Sequence, residues 1–297
     1  MAWAIEPRPL NFADGQPFAN SKYFECGDYN IHYRVDEPKC AEIGKIFMVH
    51  GFGCNTAFFD ELVEQYTTMG YYVVRADLPD FGYSTREEKG IDFIPETTLM
   101  HKLIEHISAP EDKWVLLGHS MGGSVVLQMA TEDESRLKGV ILNAPLLMAN
   151  VPGFVGNLMK GKLIGNVLNL ALKYLAGHDA LGPIIMYLMT FALKYSKGID
   201  PERVLGPFKI QKTGNGLAFM TAKTSKPSKE AIHNIKTPIQ LVWGGIDIFV
   251  LPTARKSLEK ALPESAQVKM LVLGNHCLIN NFDKKVAKWG HEFMQTL

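Results

Sequence analysis

The residue of this chain best set up for chemistry is Ser120, in Gly118-His119-Ser120-Met121-Gly122-Gly123. Gly-x-Ser-x-Gly has little specificity by itself. Here it follows an apolar run at 114–117 and precedes a helical stretch at 124–131. A strand–turn–helix of that kind holds the serine in a strained turn clear of a sheet, and its glycines let strand and helix approach. The first amides of the helix point at the same spot. The plainer alternative is a serine that only caps a helix.

A serine hydroxyl is a weak nucleophile at neutral pH. It needs a base within hydrogen-bond reach, and the base needs an orienting partner. Asp247 and His276 follow two later apolar runs, in Gly244-Gly245-Ile246-Asp247 and Gly274-Asn275-His276. Loops at the carboxyl ends of parallel strands converge on one crevice. The order Ser…Asp…His therefore predicts nucleophile, orienting acid and base around one point. Taken alone, His276 reads equally well as a structural histidine. Asp77 and Asp80 are expected to shape a loop, Asp283 to open the last helix, and Asn143-Ala144-Pro145 supplies no carboxylate.

Attack on a carbonyl also needs donors for the developing oxyanion, each contributing about 3–4 kcal/mol. His50-Gly51-Phe52-Gly53 follows the run at 46–49. It would turn the Phe52 amide inward, with the amide of Met121 as second donor. A tight loop is the alternative. His50, Gly51, Gly53 and His119 are expected to border the substrate. Cys54 and Cys277, beside these motifs, read as small packing residues.

The elements that must position these residues follow from periodicity. Short runs at 45–49, 71–76, 114–117, 139–143, 239–243 and 268–273 are apolar on both faces and alternate with helical stretches at 57–68, 95–107, 120–131, 253–261 and 283–295. That pattern predicts a parallel sheet covered on both sides. Runs at 23–26 and 31–35 flank Gly-Asp-Tyr-Asn and read as a hairpin. Between 146 and 229 the alternation stops in favour of Met- and Leu-rich helical stretches. The chain thus divides into 1–145 (core), 146–229 (helical cap or lid) and 230–297 (core). Met148, Leu158, Met186 and Met189 are candidate walls for an acyl chain. Lys160, Lys162, Lys173 and Lys194 against Asp179 give the insertion a mild basic excess that fits transient contact with a membrane surface, or an ordinary solvated face.

Composition narrows the classes. In 297 residues, 46% are apolar and 21% charged, which excludes wholesale disorder and a multi-span membrane protein. Thirty-one basic and 31 acidic residues leave no global field to gather nucleic acid. Four scattered cysteines make no disulfide framework. With no apolar leader core near the start, the expected setting is cytoplasmic. No histidine spacing suggests a metal, and no phosphate-binding loop suggests a cofactor. Oligomeric state stays open.

HGFG, GHSMGG, GGIDIFV and GNH, in this order and each after a strand, resemble the α/β-hydrolase superfamily from about residue 20 to the end. The resemblance implies an α/β class fold: an eight-stranded, mostly parallel sheet with a helical cap inserted after the sixth strand. It implies Ser120 as nucleophile, Asp247 as acid and His276 as base. The serine elbow and apolar insertion look most like monoacylglycerol-lipase-like enzymes and related carboxylesterases, implying a small-molecule or lipid ester substrate. Thioesterase, carbon–carbon hydrolase or lyase chemistry stays open, as does a ligand receptor on the same scaffold. One departure is Asp80, in Asp77-Leu78-Pro79-Asp80-Phe81-Gly82-Tyr83-Ser84, where family members often carry glycine. It leaves the path of this loop open.

Overall fold

Alternate residues of each apolar run face opposite ways, and the chain uses both faces. In the computed structural model, which describes residues 17–85, 91–147, 227–247, 249–250 and 252–297, the runs become one eight-stranded sheet. Its strands are β1 (Ser21–Cys26), β2 (Tyr29–Asp36), β3 (Gly44–Val49), β4 (Tyr71–Ala76), β5 (Trp114–His119), β6 (Leu137–Asn143), β7 (Ile239–Gly244) and β8 (Gln267–Leu271). Their spatial order is β1-β2-β4-β3-β5-β6-β7-β8, antiparallel at β1–β2 and β2–β4 and parallel elsewhere. Ile46, Met48, Val115, Leu117 and Ile141 belong to one core, and Phe47, Val49, Leu116, Val140 and Leu142 to the other. The described helices are α1 (Asp60–Thr68), α2 (Glu96–Ile107), α3 (Met121–Glu132), α4 (Lys229–His233), α5 (Pro252–Glu259), α6 (Leu278–Asn281) and α7 (Asp283–Met294). The first core packs under α1, α6 and α7, and the second under α2, α3, α4 and α5. This is the covered parallel sheet expected from the two-faced strands.

Several element ends lie one or two residues from expectation, and three of these differences have a local cause. The helix expected over 57–68 starts with a tighter 3-10 turn, Thr56–Phe59, because the Asn55 side chain accepts the Ala57 amide and winds the entry closely. Pro95 stands just before α2, with ψ 140°, rather than as its first residue. Strand β8 ends at Leu271, since the Gly274 amide folds back onto the Leu271 carbonyl and turns the chain. Val272 and Leu273, expected inside the strand, lie in an exposed turn.

Asp80 takes φ 69°, so the loop keeps a left-handed residue where glycine is usual. Aspartate tolerates that region better than most side chains. Most of the expected cap, with Met148, Leu158, Met186 and Met189, lies outside the described residues. Among the described residues no helix is long and apolar enough to cross a membrane.

Candidate active site

The loops at the carboxyl ends of β3, β5, β7 and β8 bring the expected residues together. Ser120 stands between the end of β5 and the start of α3 with φ 53° and ψ −119°. A side chain held there carries strain of about 1–3 kcal/mol. The surroundings fix it: the Ser120 amide donates to the Asn143 carbonyl at 3.0 Å, and the Ser120 carbonyl accepts from Gly123 at 3.0 Å and Leu146 at 2.9 Å. Gly122 permits α3 to close on β3, since a Cβ there would stand 2.1 Å from the Val49 carbonyl oxygen.

Ser120 Oγ lies 2.8 Å from His276 Nε2, and His276 Nδ1 lies 2.8 Å from Asp247 Oδ2. The second Asp247 oxygen accepts the amides of Phe249 and Val250 at 2.8 and 3.0 Å. Asp247 is thus clamped with one oxygen free for the imidazole, and its side chain is 2% exposed. If His276 donates from Nδ1 to the carboxylate, Nε2 is left to accept the serine proton.

The amides of Phe52 and Met121 donate to no group among the described residues. Gly51 lies against Ser120; a Cβ on it would sit 3.0 Å from the Ser120 Cβ. Gly53 turns the loop with φ 69°. His50 is fully buried, with Nδ1 on the Gly51 carbonyl at 2.8 Å and Nε2 accepting the Leu78 amide at 3.1 Å. A peptide's C=O and N–H point opposite ways. Pinning the Gly51 carbonyl therefore turns the Phe52 amide the other way. His50 shapes this loop rather than lining a surface.

His119, expected near substrate, is also buried. Its Nε2 donates to the His276 carbonyl at 2.9 Å, holding the His276 loop against β5. Burial, with the facing His276 ring, pushes the His119 pKa down to about 3, so it stays neutral. Cys54 and Cys277 are buried, and burial pushes both thiols up, Cys277 to about 12. Neither is a ready thiolate.

The same three residue types recur elsewhere. Ser21 Oγ lies 2.7 Å from His32 Nε2, and His32 Nδ1 lies 2.7 Å from Asp77 Oδ2. Here the serine sits on a regular strand and already accepts the Phe18 amide. Asp77 also binds the Thr56 and Tyr83 amides at 2.6 and 2.9 Å. This group fastens the β1–β2 edge to the loops after β3 and β4. Burial alone would raise the Asp77 pKa, but His32, His50 and the Tyr83 amide together hold it below the usual carboxylate range.

Sequence reasoning missed Phe249, whose ring centroid lies 5.0 Å from that of His276. Its place two residues after Asp247 was the available signal. It also missed the Ser21–His32–Asp77 clasp, whose members have no local motif.

A family model described as Hydrolase_4, serine aminopeptidase, S33, matches residues 41–283. The chain is 32% identical over 138 residues to a monoglyceride lipase of Rattus norvegicus, covering 44% of this chain and 42% of that protein. It is 22% identical over 284 residues to a monoacylglycerol lipase of Xenopus laevis, covering 93% and 82%. The matched stretch thus spans less than half the rat lipase's own length. Among solved structures, an α/β hydrolase enzyme from a deep-sea metagenome library superposes with TM-score 0.70 at 20% identity, covering 92% of this chain and 97% of that one. The fold is the α/β-hydrolase fold.

Proposed function

We propose that this chain, which belongs to the Hydrolase_4 family (serine aminopeptidase, S33), is a carboxylic ester hydrolase working through an acyl-enzyme on Ser120. The carrying observation is the continuous line from Ser120 Oγ through His276 to Asp247, 2.8 Å at each step, on a serine with positive φ. His276 Nε2 takes the hydroxyl proton as Ser120 Oγ attacks the carbonyl carbon. The Phe52 and Met121 amides hold the oxyanion. His276 returns the proton to the leaving alcohol as the C–O bond breaks. It then deprotonates water, which releases the acid and restores Ser120. Asp247 orients the imidazole and stabilises its charged form.

The similarity to lipases named for monoacylglycerols supports esters with medium or long acyl chains. Residues 146–229 would then be the lid over the acyl chain, with Met148, Leu158, Met186 and Met189 along it. A cytoplasmic setting suits four cysteines that are all free.

The test is turnover of p-nitrophenyl esters of graded chain length and of a monoacylglycerol, beside aminoacyl p-nitroanilides. Ester hydrolysis lost in Ser120→Ala supports the reading. Faster cleavage of the anilides than of any ester, or turnover that survives Ser120→Ala, overturns it.

A further inference from the structure

The loops that carry Asp247 and His276 hold their polar atoms inward and their apolar side chains out. Ile246 is 44% exposed, Phe249 43%, Val272 72% and Leu273 74%. The loops are joined backbone to backbone: the Gly245 amide donates to Leu271 at 2.7 Å and the Ile246 amide to Gly274 at 2.9 Å. The two loops that carry these four exposed side chains therefore run side by side on one rim. The rim reaches His276, since the Phe249 ring packs beside it. Strand β8 is the last of the sheet, and its exposed Val268 and Met270 continue the apolar surface away from the site.

A patch of this kind on a soluble surface marks a contact, and its flank says with what. Helix α5 lies alongside, with the Arg255 guanidinium 3.7 Å from Met270 Sδ. Between 255 and 270 the sequence carries Arg255, Lys256, Lys260 and Lys269 against Glu259 and Glu264. Lys256 and Lys260 are exposed, and Glu259 already engages Arg255 at 3.5 Å. Apolar side chains bordered by unspent cations match a bilayer interface with anionic headgroups, where the chains enter the acyl boundary and the cations meet phosphates.

We propose that this rim, with the β8 edge and α5, docks the protein on an anionic lipid surface and presents the Ser120–His276 site to it. The proposal rests on the ester-lipid reading of that site. It places the membrane-facing surface on the described core, apart from residues 146–229.

The experiment is flotation of the full chain with phosphatidylcholine vesicles, with and without phosphatidylglycerol, beside turnover of p-nitrophenyl acetate in solution. The wild type floats with the anionic vesicles and less with the neutral ones. Val272→Ser with Leu273→Ser lowers partitioning by about tenfold or more, with acetate turnover kept. Lys256→Glu with Lys260→Glu weakens binding to anionic vesicles only. Partitioning of the serine double variant equal to wild type overturns the proposal. So does a wild type that ignores vesicles but forms a dimer which the double variant dissolves, because the patch would then join copies of the chain. Vesicle binding that needs Val272 and Leu273, without ester turnover, upholds the docking surface and overturns the hydrolase reading.

Discussion

Ser120 holds a backbone conformation that suits glycine and keeps a side chain there regardless. Ser120→Gly removes both the hydroxyl and the strain. After the added flexibility of glycine in the unfolded chain, stability should rise by about 1 kcal/mol while ester turnover disappears; denaturant unfolding and hydrolysis on one sample check both. Asp247→Asn should keep the fold and lower kcat by about 10³–10⁴, read by steady-state kinetics. His119 supplies the pH prediction. Unfolded, it takes up a proton near 6.5; folded, only near about 3. Between these values the unfolded chain binds more protons, so this residue's contribution is full above 6.5 and is lost as pH falls toward 3. The slope is at most about 1.4 kcal/mol per pH unit. His119→Gln should flatten that loss in urea titrations at pH 7, 5.5 and 4.5. An equally steep loss in the variant would remove His119 as the cause.

Between elements, close approach and ion clusters do the positioning. Gly122→Ala would force α3 away from β3 against the Val49 carbonyl, costing about 3 kcal/mol and displacing Ser120, so melting temperature and kcat should fall together. Arg75, 2% exposed, binds Asp36 at 2.9 and 3.1 Å, the Thr56 carbonyl at 2.9 Å and Asp60, tying β4 to β2 and α1. Arg75→Met should cost about 3 kcal/mol, the low end for breaking a buried pair because both acids keep some water; calorimetry reads it. These two features mark the limit of what sequence could tell. The central strands were legible because they are apolar on both faces, and the glycine-flanked serine because strand and helix bracket it. Arg75 and Asp36 lie 39 residues apart and pair only through the antiparallel β2–β4 register, which leaves no local trace. Val272 and Leu273 looked like strand because an apolar run has the same letters whether it is buried in a sheet or displayed on a turn.

Across the whole molecule, four strand ends converge on one crevice, and each carries one part of the proposed machinery: the Phe52 loop after β3, Ser120 after β5, Asp247 after β7 and His276 after β8. The proposed reaction needs them together, and the same three residue types at Ser21 illustrate why. It has a histidine and an aspartate at 2.7 Å, but its serine lies on a relaxed strand and its hydroxyl is already engaged. The two serines therefore compete in a single measurement. The wild-type chain is treated with a fluorophosphonate, digested and mapped by mass spectrometry. The account predicts one adduct, on Ser120, absent from Ser120→Ala with Ser21 still unlabelled. A folded wild type that takes no label, or takes it at Ser21 or any other residue in place of Ser120, contradicts it.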